Sequence, residues 1–287
     1  TTTAAGVGYG ATGSVTLALV EVGNTTKVAS GANVTASKGT YDILAHSILT
    51  ATANAYGLSA ALGGSVQAAI ARLTVKPVVL ASVTGGQIQA KNIRVRALFN
   101  VNDNNSYNKA GNLESNAYAG AAGGLVSGSG ASSEITVDGS ATAGVSNANL
   151  TLTEDALVLS KANGSLTGNG AGLAAAGGAA VGGVVVKINN TFKTIAQITK
   201  TTITAARNVS VLADYDGTLN GTAKGTAGGL LVAGTAQSLS MTEDTTTTAN
   251  IAGNSKIDAT GTVSVLAQDE HQVGGKATGY SVAGFAS

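Results

Sequence analysis

A period-2 strand recurs along this chain at a nearly constant interval, and that recurrence restricts the fold more than any single residue does. In the last copy Val263, Val265 and Ala267 share one face, with Thr262, Ser264 and Leu266 on the other. Such alternation, bounded by Gly and Asn, is that of a half-buried β-strand. The same positions are filled by Tyr41, Ile43 and Ala45, by Ile93, Val95 and Ala97, by Ala156, Val158 and Ser160, and by Val209, Val211 and Ala213. The spacings are 52, 63, 53 and 54 residues. A second marker, Gly-Gly, keeps the same period at Gly63-Gly64, Gly123-Gly124, Gly177-Gly178 and Gly228-Gly229, with Thr12-Gly13 as a degenerate first copy. Two markers sharing one period indicate an internal repeat.

The expected fold is therefore all-β: a parallel β-solenoid of about five degenerate repeats of roughly 53 residues, continuous over 1–287. The repeats are read as 1–55, 56–116, 117–163, 164–221 and 222–273, with a sixth beginning over 274–287. The two halves of a repeat do not resemble each other, which favours one wide coil per repeat. Stacking then puts Val211 above Val158 and below Val265, at about 4.8 Å per coil. Each inward Val or Ile contributes on the order of 1.5 to 3 kcal/mol on burial. The long interval holds a polar insert, 100–116, read as a loop of about ten extra residues. Asn24-Thr25-Thr26 and the stretch 245–248 are read as corners, and the one proline, Pro77, as the start of a strand at the equivalent corner. The chain ends in GYSVAGFAS, which resembles the opening of another repeat and suggests a segment of a longer polypeptide.

Composition narrows the function classes. A net charge of +1 with 11% charged residues gives no long-range field for nucleic acid or anionic lipid. With no Cys, neither a disulfide scaffold nor a Cys-containing zinc site is available. The most apolar run, 171–186, is 16 uncharged residues, short of the roughly 20 that span a bilayer as a helix. Ser65, Gln67 and Arg72 interrupt a sister copy, so a strand is the reading and no membrane span is expected. A transmembrane barrel would carry aromatic girdles, whereas aromatics are 3% here. Small and apolar residues at both parities of 171–186 suggest a strand covered on both faces, by the same chain or by a neighbouring molecule. On that reading Val184→Lys reduces lateral or end-to-end assembly.

No residue set points to catalysis. Gly8-Tyr9-Gly10-Ala11-Thr12-Gly13 matches G-x-G-x-x-G but is followed by no helix pattern. His46 and His271 are four coils apart and are read as solvent-facing. Thr153-Glu154-Asp155, Thr242-Glu243-Asp244 and Asn102-Asp103-Asn104-Asn105 offer oxygen ligands but lack the spacing of known calcium loops, and are read as solvated turns. Arg94 and Arg96 share a strand parity and form a small basic spot. The sequons at Asn33, Asn149 and Asn208 are no more than an Asn- and Thr-rich chain produces by chance. Polysaccharide cleavage requires paired carboxylates, and the 15 acidic residues do not gather on one ladder. No catalytic, metal or cofactor residue is assigned.

The Gly-Gly run, the Thr-rich corners, the Ile-x-Ala steps Ile88-Gln89-Ala90, Ile203-Thr204-Ala205 and Ile257-Asp258-Ala259, and the Val-x-Val-x-Ala strand together resemble the repeats of large bacterial filamentous adhesins. The closest likeness is to leukotoxin-type exoproteins of Gram-negative bacteria, and it covers nearly the whole chain. The resemblance implies a parallel β-helical rod exported to the bacterial cell surface, non-enzymatic, self-associating end to end or laterally, with a host-cell or matrix ligand and a place in adhesion or biofilm. A polysaccharide-binding or polysaccharide-cleaving β-helix is the alternative.

Overall fold

In a computed structural model, residues 1–108 and 111–284 are described, and among them all regular structure is strand. In chain order the strands are β1 (Thr2–Gly8), β2 (Ala11–Ser30), β3 (Val34–Ser47), β4 (Ala51–Ala61), β5 (Gly64–Thr84), β6 (Gln87–Phe99) and β7 (Asn112–Gly123). There follow β8 (Val126–Val137), β9 (Ser140–Ser146), β10 (Asn149–Leu152), β11 (Ala156–Ala176), β12 (Ala179–Asn190), β13 (Lys193–Thr199), β14 (Thr202–Ala206) and β15 (Val209–Gly229). The last are β16 (Val232–Glu243), β17 (Thr246–Ala252), β18 (Lys256–Ala259) and β19 (Val263–Ala283).

Every pairing between these strands is parallel, as a β-helix requires. Thr2 pairs with Ala55, Val126 with Ala179, Ser140 with Lys193 and Ala156 with Val209, each 53 residues on. The pairs form two sheets. One holds β2, β5, β8, β9, β12, β13, β16 and β17, and the other holds the remaining eleven strands. The expected ladder is present: Ile43 pairs with Val95, Val95 with Val158, Val158 with Val211 and Val211 with Val265. The first four are buried, while Val265, on the outermost strand, is exposed.

The space between the sheets tapers. At the corner after β11 and β15 the interior is filled by Ala174, Ala180, Ala227 and Ala233. Farther along, Val, Ile and Leu take over, and Phe99, Phe192 and Tyr215 stack at ring distances of 5.1 and 5.9 Å. Small side chains let the sheets meet, and large ones hold them apart.

The two kinds of corner are built differently. The narrow corner runs through Gly63, Gly124 and Gly177-Gly178, where a Cβ would collide with the backbone one pass below: at Gly124, with the Leu62 carbonyl. The corner that leads into β6, β10, β14 and β18 instead uses left-handed backbone, at Gly85 (φ 73°), Asn147 (53°), Lys200 (50°) and Gly253 (67°). Glycine and asparagine tolerate that region best, so Lys200 is the strained member.

Several local expectations change. The run 171–186 is two strand ends, from β11 and β12, joined by the bend at Gly177-Gly178. Its second covering layer is present on one parity only. Ala174, Ala180, Val184 and Val186 are buried, whereas Leu173, Val181 and Val185 are 54, 59 and 48% exposed. Val184 thus faces the core and is unsuited to probing assembly. Asn24 to Thr26 lie inside β2, not at a corner, and Pro77 lies inside β5 rather than at its start. Pro77 is tolerated because the strand on one side of it is interrupted at Asp138-Gly139, between β8 and β9. The borders at 56, 117, 164, 222 and 274 all fall within strands. No helix among the described residues is long and apolar enough to cross a membrane.

Candidate interaction surfaces

The insert after β6 is the largest departure from the period. Between the pairs Ser47–Phe99 and Ala51–Leu113 the offset rises from 52 to 62, so ten residues are added here. The part at Lys109 and Ala110 lies outside the described residues. The rest folds back over the outer face of the sheet instead of projecting. Val101 bridges Tyr107, and with Leu98 and Leu159 they form a separate apolar cluster together with Leu44, Leu157 and Leu212.

Polar contacts tie this cover down. Tyr107 donates its hydroxyl proton to Asp214 Oδ1 at 2.5 Å, and burial, then Asp214, pushes the phenol far above its ordinary range. Lys161 Nζ lies 2.6 Å from Asp214 Oδ2 and 3.9 Å from the centre of the Tyr107 ring. On the other side Asp103 Oδ1 lies 2.9 Å from His46 Nδ1, and Arg96 donates to the Asp103 carbonyl at 3.2 Å.

The histidines are far apart, as expected, but neither simply faces solvent. His46 Nε2 lies 2.6 Å from the Val101 carbonyl, so each ring nitrogen has an oxygen beside it. His271 sits in β19 on the inward parity, opposite Gly217. Its Nδ1 is 3.3 Å from Glu243 Oε1 and its Nε2 is 2.8 Å from Asp269 Oδ1. Glu243 is nearly enclosed, and its Oε1 also accepts from Asn190 at 3.1 Å and from Tyr215 at 3.3 Å. Burial foremost, then Glu243, raises the Tyr215 hydroxyl well above the usual phenol range.

The three acidic stretches occupy different places and do not form one ladder. Glu154 and Asp155 lie between β10 and β11, where hydrogen bonds from Lys91 and Arg207 respectively hold each carboxyl below its ordinary range. Glu243 ends β16, and Asp103 is engaged with His46. Asn102 and Asn104 bond Ser106 within the turn. Among the described residues no group of three or more His, Asp or Glu side chains is arranged to hold a metal ion. Arg94 and Arg96 are not a free basic spot, since Arg96 clasps Asp42 at 2.7 Å.

The glycine motif at 8–13 spans the corner from β1 to β2 and is followed by a strand. Two of the three sequon asparagines serve turns, Asn33 Oδ1 accepting from Gln87 N at 2.7 Å and Asn208 Oδ1 from Thr262 N at 2.9 Å, while Asn149 opens β10.

One surface feature was hidden from sequence reading. Tyr56 pairs with Tyr118 across the insert's 62-residue offset, and their rings stack at 5.1 Å with an interplanar angle of 1°. Beyond Tyr118 comes Ala171 and then Lys224, leaving an apolar trough of about 500 Å³ also bordered by Leu58 and Leu173. Beside it runs a ladder in which Asn116 donates to Asn54 at 2.8 Å and Asn169 to Asn116 at 2.9 Å. Comparison of the chain with protein-family models, curated proteins and solved structures gives no match.

Proposed function

We propose that this chain is part of a closed β-solenoid of about five wide coils, serving as the non-enzymatic rod of a bacterial surface adhesin or as a subunit of an extracellular fibre. The observation that carries the proposal is the parallel register, in which a strand pairs with its counterpart one repeat later along nearly its whole length. Such stacking gives a rod whose stiffness comes from backbone ladders along the axis, and whose outer columns are free to vary. The surface location, the adhesive ligand and the biofilm role follow from the sequence resemblance. Electron cryomicroscopy of the native material tests the reading. Rods or filaments advancing about 4.8 Å per repeat are expected, and a particle without stacked strands would overturn it.

A second reading, a polysaccharide-binding β-helix, is favoured by the Tyr118, Ala171 and Lys224 trough beside the asparagine ladder. If it holds, Tyr118→Ala abolishes retention on an immobilised polysaccharide that retains the native chain.

A further inference from the structure

We infer that the outer face of the eight-stranded sheet, next to the glycine corner, is an interface between two copies of this chain packed antiparallel. Across β5, β8, β12 and β16, one outward column reads Val66, Gly128, Val181, Gly234, and another reads Ile70, Ser132, Val185, Ser238. Over these four strands large and small side chains alternate in both; β2, on the far side of β5, extends the first column with Gly13 and the second with Leu17, and lies outside the proposed contact. Between the two lies a trough of about 450 Å³ floored by Ala68, Gly130, Gly183 and Ala236.

The glycines of this face are not needed by the chain itself. A Cβ at Gly130, Gly183 or Gly234 would have nothing within 4 Å, and at Gly128 only Val66 at ordinary contact distance. None of the four has a left-handed backbone. Glycine inside a strand loses more conformational entropy than any other residue, and where no turn demands it, it marks the close approach of another backbone.

The occupant follows from the pattern. A twofold axis along the strand direction, between β8 and β12, sets each column against its own reverse. Val66 then faces Gly234 of the second copy, Val181 faces Gly128, Ile70 faces Ser238 and Val185 faces Ser132. The next column outward is Arg72, Glu134, Lys187, Ser240, so Glu134 meets Lys187 of the other copy and no like charges meet. On the strands that carry this face, no charged residue occurs in 64–71, 126–133, 179–186 or 232–242. Four strands by four columns cover about 19 by 26 Å, which gives roughly 1,000 Å² for two copies, the size at which specific interfaces begin.

This inference rests on the rod reading above and can fail without it. Sedimentation equilibrium of the chain should give a dimer. The double variant Gly128→Val/Gly234→Val, for which the fold has room, should keep its circular dichroism and weaken dimerisation at least tenfold. Ile70→Cys/Ser238→Cys, whose positions lie three strands apart on one chain, should be joined into a covalent dimer by a short bis-maleimide, while either single variant should not. A chain that remains monomeric, or a glycine double variant that dimerises as well as the native chain, would overturn the interface. Single stacked rods in micrographs would then leave the rod reading intact, and particles without stacked strands would remove both.

Discussion

The two edges of the molecule solve the same stacking problem by opposite means. At the glycine corner the strands are held in register by steric exclusion: Gly63, Gly124 and Gly177 leave no space for a side chain, and alanines fill the gap between sheets. At the broad edge, register is held by charges paired between neighbouring passes, as in Lys161–Asp214 at 2.6 Å and Arg207–Asp155 at 2.7 Å. Formal charge is absent from 43–71, 115–133, 162–186 and 225–242, the stretches that turn through the narrow corner. Charged side chains protect an exposed sheet from unwanted pairing. The broad edge has that protection, and the narrow edge has given it up over an apolar surface.

The largest effect that bears on this contrast comes from reversing one side chain's facing. Val184→Lys places an ammonium between the sheets without a partner and should cost on the order of 3 to 5 kcal/mol in denaturant unfolding. Val185→Lys, its outward neighbour, should stay within about 0.5 kcal/mol for the isolated chain. Equal losses would show that both parities of β12 are covered.

Glycine to alanine substitutions divide next. Gly124→Ala drives a methyl into the Leu62 carbonyl and should destabilise by about 1 to 3 kcal/mol. Gly234→Ala, with open space and ordinary backbone, should stabilise the monomer by about 0.4 to 1 kcal/mol through the unfolded state. Thermal melts of the pair decide the matter. Stabilisation by both would mean that the corner glycines are not sterically required.

A smaller effect is expected where the insert meets the broad edge. Tyr107→Phe removes one hydrogen bond to Asp214 but leaves Lys161 in place, for a cost of about 0.5 to 1.5 kcal/mol. Hydrogen exchange should quicken in 100–108 and remain unchanged at Gly177.

These contrasts explain how much the sequence could show. The ladder Ile43, Val95, Val158, Val211, Val265 was legible because inward positions of stacked strands carry like residues at a fixed period. The Gly-Gly marker was legible as a period but not as a bend, since small residues at both parities look alike on either side of a corner. That ambiguity left the two faces of 171–186 undistinguished, so that Val184, which is buried, was chosen to probe assembly. The Tyr56–Tyr118 stack was hidden because the insert changes the offset from 52 to 62, and the fold of the insert over Leu98 and Leu159 leaves no periodic trace. Asn24 and Pro77 misled in the opposite sense: turn-forming residues stand where β2 and β5 run straight on, because continuous pairing between the two strands outweighs local preference.

Acid should separate the two edges most gently. Arg207 holds the Asp155 carboxyl, and Lys91 that of Glu154, below their ordinary values, so the folded chain binds fewer protons than the unfolded chain near pH 4. The stability these groups supply is fully present above about pH 4.3, the unfolded value for Glu, and is lost as pH falls through the lower folded values. The narrow corner has no carboxylate or histidine of its own to lose. Amide exchange in the turns 153–155 and 207–208 should therefore accelerate on acidification before exchange at 177–180 does. Arg207→Gln should abolish much of that difference by removing Asp155's partner in advance. Simultaneous loss of protection at both edges would mean that the charge pairs and the glycine corner belong to one cooperative unit, in which register set at either edge is transmitted across the whole width of the strands.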